Sequence, residues 1–365
     1  MKIEVRGSGG AEGWPAPGCR CASCQRARAG GVARQPFRVL VDGTLELSGG
    51  TPSGTAGVIA GITAGGAAGY QVRRLAGGWD VTAPDGARLL AGPRPKVPAG
   101  TARYDAALLD LVGDAAQLGL LRAQGVVTGS TLVLAMFADH RVRSERELAR
   151  RCRFWAAVLP RDGYTFSVPA PVAPRERPRP WRVLVLGGAG SGKSAEAELR
   201  LAAEPEVTYV ATGRVDPADP EWTARIAAHQ RRRPSWWRTA ESTDLAGVLR
   251  TAHGAVLVDS VTTWLAAAMD DCGAWKTPAA DSGDTGDTVR AAGRLAERAD
   301  ALVAAWRQAD GYVVAVSDET GLGVVPDTRA GRWFRDELGR LNQRLAAESD
   351  EFTVVVAGRP MLAAD

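Results

Sequence analysis

Gly187-Gly188-Ala189-Gly190-Ser191-Gly192-Lys193-Ser194 is the stretch that decides how the second half of this chain folds. It is entered by the apolar run Val183 to Leu186 and leaves into the helix-favouring stretch Ala195 to Ala203. A G-x-x-x-x-G-K-[ST] sequence between a strand and a helix is a phosphate-binding loop. Its glycines let successive backbone N–H groups turn inward around a β-phosphate, its lysine reaches the β- and γ-phosphates, and its serine hydroxyl can ligate Mg²⁺. Glycine spacing alone means little in a chain with 43 glycines, but Lys2, Lys96, Lys193 and Lys276 are the only lysines among its 45 basic residues. A lysine and serine at the required places are therefore specific, and the stretch implies binding of a nucleoside triphosphate.

Working outward, 365 residues allow two domains with separate cores, and 45% hydrophobic residues suit a globular protein. No stretch approaches the ~18 continuous apolar residues of a membrane span, and Met1 to Arg6 has no apolar signal core, so a cytoplasmic location is expected. A formal charge of +4, spread along the chain without an aromatic-interleaved basic stripe, gives no reason to expect nucleic acid as a partner. Between Ser167 and Trp181 lie Pro169, Pro171, Pro174, Pro178 and Pro180, a run that can neither pair as a central strand nor coil as a helix. The expected organisation is an amino-terminal domain (1–166), a Pro/Arg-rich linker (167–181) and a phosphate-binding domain (182–365).

After the linker, short apolar runs recur at Arg182 to Leu186, Val207 to Ala211, Ala255 to Asp259, Tyr312 to Ser317 and Phe352 to Ala357, separated by segments of helical character. This α/β alternation predicts a mostly parallel sheet with helices on both faces, a P-loop NTPase-like fold with its nucleotide at the carboxyl edge. The acidic, low-complexity stretch Thr277 to Thr288 reads as a surface loop. Ala255-Val256-Leu257-Val258-Asp259 is an apolar strand ending in an acid, which makes Asp259 the candidate Mg²⁺-side carboxylate opposite Ser194. Glu221 to Arg233 has helical periodicity and puts Arg225 and His229 one turn apart, followed by Arg231, Arg232 and Arg233 as charge for a triphosphate. The amino-terminal part is less regular, with a glycine-dense stretch from Gly49 to Gly69 and strand-like pieces at Tyr70 to Leu75, Trp79 to Ala83 and Leu108 to Leu111. It reads as a truncated α/β layer.

The stretch Arg182 to Leu362 resembles the bifunctional adenosylcobinamide kinase and adenosylcobinamide-phosphate guanylyltransferase family of cobalamin assembly. The matching pieces include the loop at 185–194, Tyr-Val-Ala-Thr-Gly (209–213), Arg-Ile-Ala-Ala-His (225–229), Trp-Arg-Thr-Ala-Glu (237–241) and Val-Leu-Val-Asp-Ser-Val-Thr-Thr-Trp-Leu (256–265). Glu-Thr-Gly-Leu-Gly-Val-Val-Pro (319–326) and Phe-Arg-Asp-Glu-Leu-Gly-Arg-Leu-Asn-Gln-Arg-Leu-Ala (334–346) follow in order. The resemblance implies ATP, GTP and Mg²⁺ as cofactors, adenosylcobinamide and its phosphate as substrates, and a homo-oligomer. It implies that His229 carries a guanylyl group as a phosphoramidate between two half-reactions, while Lys193 and Ser194 serve a kinase step. It also assigns nucleotide contacts to Ala211, Thr212, Gly213, Gln230, Arg231, Arg232, Arg233, Glu241 and Asp259. The family commonly shows Asn-Glu where this chain has Asp318-Glu319, which adds a negative charge. Two other readings stay open: a small-molecule kinase without guanylyl transfer, and a zinc-stabilised, nucleotide-switched binding protein using residues 1–166.

Residues 7–24 resemble the opening of metallo-β-lactamase-fold phosphodiesterases of the phosphonate-degrading type. The H-x-H-x-D-H signature for two catalytic zinc ions is absent, since the only histidines are His140, His229 and His253. This domain is therefore expected to be degenerate and hydrolytically dead. Cys19, Cys21 and Cys24 form C-x-C-x₂-C, one ligand short of a tetrahedral structural zinc. In the resembling family a carboxy-terminal histidine after a strand completes the set, which makes His140 the candidate; free thiols and a surface histidine are the alternative.

Overall fold

Period-two burial shapes the amino-terminal half: in β1 (Lys2–Gly7), Ile3 and Val5 are buried while Lys2 and Arg6 are exposed. The structure, a computed structural model, describes residues 1–49, 62–64, 69–169, 181–213, 233–275 and 285–362. It divides into two units, Met1–Arg177 with Ala202–Pro205, and Pro178–Leu201 with Glu206–Asp365.

In the first unit β1 is followed by β2 (Arg38–Val41), β3 (Leu45–Ser48), β4 (Ile62–Ala64), β5 (Gln71–Leu75), β6 (Gly78–Thr82), β7 (Arg88–Gly92), β8 (Ala106–Leu109), β9 (Leu132–Ala135) and β10 (Thr165–Ser167). Its helices are α1 (Ala22–Ala29), α2 (Ala116–Ala123) and α3 (Glu145–Phe154). The strands make two five-stranded sheets, β10-β1-β2-β3-β4, antiparallel throughout, and β5-β6-β7-β8-β9, which turns parallel from β7 onward. Ile3, Val39, Val41 and Leu47 from one sheet share a buried cluster with Trp79, Val81, Leu89, Leu108 and Leu134 from the other. The expected single truncated layer is thus two sheets around a common core. β1, β2 and β3 escaped the sequence reading because each is a short alternating piece without a long apolar run. Of the expected linker, Ser167 instead ends β10, paired with Lys2, and Trp181 opens the next strand. Residues 170–180 lie outside the described ones.

The second unit runs β11 (Trp181–Gly187), α4 (Lys193–Leu201), β12 (Val207–Ala211), β13 (Arg238–Glu241), α5 (Leu245–Thr251), β14 (Ala255–Asp259), α6 (Val261–Cys272), α7 (Thr285–Gln308), β15 (Tyr312–Asp318), α8 (Arg329–Ala347), β16 (Glu351–Val356) and β17 (Arg359–Leu362). The sheet order is β13-β12-β14-β15-β11-β16-β17, parallel except for β17. Helices lie on both faces, as expected. Leu184 and Leu186 pack with Leu249, Trp264, Leu295 and Leu341, while Val183 and Val185 pack with Ala197 and Leu201. Burial on both sides is why these strands read as continuous apolar runs. The acidic stretch Thr277 to Thr288 is only in part a loop candidate: Thr285 to Thr288 opens α7, and the remainder lies outside the described residues.

Candidate functional site

Parallel register gathers the carboxyl ends of the strands at one edge. Ala211 pairs with Glu241 and with Asp259, and Gly187 pairs with Asp318 and with Val355. The loop Gly188 to Gly192 rises from this edge into α4, whose first residue is Lys193. Gly192 has φ +95°, a conformation open to glycine at no steric cost, and a Cβ at Gly187 would sit 2.7 Å from the Val355 carbonyl oxygen. The loop is pinned from behind by the Gly358 N–H donating to the Ser191 carbonyl at 2.7 Å.

Lys193 is buried, donates to the Gly188 carbonyl at 3.2 Å and forms an ion pair with Asp318 at 2.6 Å. Ser194 Oγ lies 3.5 Å from Asp259 Oδ1, so the two expected Mg²⁺-side groups face each other. The other Asp259 oxygen accepts the Tyr209 hydroxyl. Burial first, and then the neighbouring Asp259 carboxylate, push the Tyr209 phenol well above its ordinary range, so it remains a donor at every working pH. The Arg233 guanidinium stacks 3.4 Å from the centre of the Tyr209 ring. The Ser194 hydroxyl and an Asp259 carboxylate oxygen make a hard-oxygen pair of the kind Mg²⁺ takes, while Tyr209 holds the other carboxylate oxygen.

Thr212 is buried beside this site rather than open to it. Its Oγ1 donates to the Ser260 carbonyl at 2.5 Å and meets Thr263 Oγ1 at 2.7 Å. Ser260 in turn caps α6 through a capping box with Thr263. Ala211 and Gly213 are half-buried and Glu241 is exposed at the same edge. His229, Gln230, Arg231 and Arg232, with Arg225, lie outside the described residues. The sequence reading missed Tyr209 and the hydroxyl chain behind Asp318, where the Asp318 N–H donates to Thr262 Oγ1 (2.8 Å) and Asn342 Nδ2 to the Asp318 carbonyl (3.0 Å). Tyr209 stands two residues before Ala211, on the same face of β12, and only the strand register of the folded sheet brings it to Asp259.

In the amino-terminal unit the donor atoms of Cys19, Cys21, Cys24 and His140 all lie within 4.8 Å of one another. Cys21 caps α1 by accepting the Cys24 N–H at 3.4 Å. Arg28 donates to the carbonyls of Cys19 (2.6 Å) and Ala16 (2.7 Å), while Ser23 Oγ and Arg26 Nε donate to the Val142 and Arg143 carbonyls just past His140. These bonds hold the cysteine loop against the histidine segment whatever occupies the centre. Burial pushes the Cys24 thiol up to about 11, whereas backbone N–H donation, led by that of Cys24, lowers Cys21. Tetrahedral Zn–S bonds of about 2.3 Å put ligand atoms a little under 4 Å apart, so this cluster fits a zinc ion.

Residues 183–362 match the family model described as cobinamide kinase / cobinamide phosphate guanyltransferase. The bifunctional adenosylcobalamin biosynthesis protein CobU of Salmonella typhimurium is 39% identical over 180 residues, 48% of this chain and 96% of that protein. The chain belongs to the cobinamide kinase / cobinamide phosphate guanyltransferase family. CobU of Escherichia coli is 37% identical over the same shares, and CobP of Pseudomonas aeruginosa is 40% identical over 188 residues, 49% of this chain and 95% of that protein. The family match begins at residue 183, so residues 1–182 lie outside it. Zn²⁺-bound PqqB from Methylobacterium extorquens overlays at TM-score 0.31 and 15% identity, covering 46% of this chain and 100% of that one, too weak a likeness to carry a conclusion. No helix among the described residues is long and apolar enough to cross a membrane.

Proposed function

We propose that this chain phosphorylates adenosylcobinamide with ATP or GTP and then transfers GMP from GTP to adenosylcobinamide phosphate. The observation that carries the reading is the phosphate-binding loop with Lys193, Ser194 and Asp259 at one sheet edge, inside a stretch 39% identical to a curated bifunctional relative along 96% of its length. In the kinase step the loop amides and Lys193 hold the β- and γ-phosphates, and the substrate hydroxyl attacks the γ-phosphorus as the bond to the β-phosphate oxygen breaks. Ser194 and Asp259 are the groups that would hold Mg²⁺, which when bound neutralises phosphate charge. In the transfer step a neutral His229 imidazole attacks the α-phosphorus of GTP and pyrophosphate leaves. The substrate phosphate then displaces the imidazole, the P–N bond breaks, and adenosylcobinamide-GDP forms. Arg231, Arg232 and Arg233, following His229 in sequence, supply charge for the departing pyrophosphate, and Gln230 a neutral hydrogen-bond donor.

The test is incubation with Mg²⁺ and GTP labelled at the α-phosphate, followed by acid and alkali treatment, with His229→Ala alongside. Label that is acid-labile, alkali-stable and missing from the variant is the expected result. No label, with nucleotide binding intact, would leave a kinase without guanylyl transfer.

For the amino-terminal unit the reading is a degenerate, hydrolytically inert metallo-β-lactamase-like domain stapled by one structural zinc on Cys19, Cys21, Cys24 and His140. The four converging donors support the zinc site. About one zinc per chain in the intact protein, lost in Cys21→Ser, is expected; no zinc in either removes the reading. A cytoplasmic homo-oligomer completes the proposal.

A further inference from the structure

Two carboxylates stand at the phosphate-binding loop. Asp259 faces Ser194, while Asp318 pairs with Lys193 at 2.6 Å. Asp318 cannot drift away from the loop, because its N–H is held by Thr262, its carbonyl by Asn342, and its strand position is locked beside Gly187. Lys193 is buried and Asp318 half-buried, so solvent screens the pair less than it would on the open surface.

We infer that Asp318 makes triphosphate binding by this loop contingent on a divalent cation. The inference rests on the nucleotide reading of the same loop. A metal-free triphosphate must draw Lys193 away from Asp318 and then lie beside a carboxylate left without its counter-charge. The cation-bound triphosphate carries two fewer negative charges and brings a positive centre for Asp318 to face. Asp318 therefore penalises the metal-free ligand more than the metal-bound one. Neutralising it leaves the lysine free for phosphate in both cases but removes the repulsion chiefly in the first.

The experiment titrates a fluorescent ATP analogue into the full-length protein, in excess EDTA and in excess Mg²⁺, for the unmodified chain and for Asp318→Asn. The variant should tighten metal-free binding by about tenfold or more while changing Mg²⁺-bound affinity several times less, as a unit charge a few ångströms away in a partly screened site requires. Asp318→Ser, which removes the same charge without an amide, should reproduce the contrast and serves if the asparagine variant folds poorly. Glu319→Gln removes a charge one residue on, outside the lysine pair, and should leave it unchanged. Equal tightening in both conditions, no tightening in either, or the same contrast from Glu319→Gln would overturn the inference. Absence of binding to the unmodified chain even with Mg²⁺ would sink the nucleotide reading itself, a distinguishable failure.

Discussion

The phosphate-binding loop and the cysteine cluster are built on opposite principles. The loop is eight consecutive residues whose donors are mostly backbone N–H groups, so a strand, a helix and glycines at the right places suffice to build it. The cluster is made of side chains, and its fourth donor, His140, comes from a segment far along the chain that only the folded unit brings near Cys19, Cys21 and Cys24. A backbone-built site keeps its shape through side-chain changes that preserve the turn; a side-chain site fails with one ligand.

Chelating the proposed zinc, or Cys24→Ser, should therefore give the largest effect: about 5 kcal/mol of stability lost from the amino-terminal unit, roughly 10 to 20 °C in its unfolding temperature by calorimetry. Nucleotide affinity should stay put. If it collapses in parallel, the two sites are not independent and the contrast breaks. Next comes Lys193→Ala, expected to slow phosphoryl transfer about 10²- to 10³-fold while lowering the unfolding temperature less than zinc loss does, because Asp318 loses its counter-charge but stays partly solvated. A large thermal shift would make Lys193 a structural residue.

The same contrast explains what could be read in advance. Val207 to Ala211 and Ala255 to Asp259 were predictable to the residue because both faces of these parallel strands are buried and their residues are largely apolar or β-branched. β13 (Arg-Thr-Ala-Glu) was not, since it is a mostly exposed edge strand whose composition reads as loop. Lys193, Ser194 and Asp259 were legible from motif and strand end. Tyr209 was quoted within a matching piece, but its bond to Asp259 depends on register between two strands nearly fifty residues apart, which no local pattern encodes. Tyr209→Phe should sharpen this point. It should weaken the Mg²⁺ dependence of nucleotide binding by about tenfold, the value of a hydrogen bond to a charged group, without altering metal-free binding.

The smallest effects, and the most diagnostic in sign, belong to two carboxylates. Asp350, in the phosphate-binding unit, accepts from the Arg182 backbone N–H (2.7 Å) and side chain (3.1 Å). Partial burial works against its ionised form, but these partners outweigh it and hold the carboxyl below its usual range. Its folded-state pKa is thus depressed, so its contribution is present above the unfolded value and fades as pH falls through the folded one. Asp110, in the amino-terminal unit, goes the other way: burial raises it, outweighing the Gly113 N–H and the Arg141 guanidinium at 2.9 Å. A raised carboxyl stabilises the fold only in its protonated form, so at neutral pH its charge is a cost. Asp350→Asn should lower stability at pH 7 by less than about 1 kcal/mol, as solvent screening of a partly exposed pair dictates, and that loss should vanish in acid. Asp110→Asn should be neutral or slightly stabilising at pH 7, with any gain shrinking as pH falls through the carboxylate range. Denaturant melts of both variants between acid and neutral pH decide it: slopes of the same sign would mean that Arg141, not burial, governs Asp110.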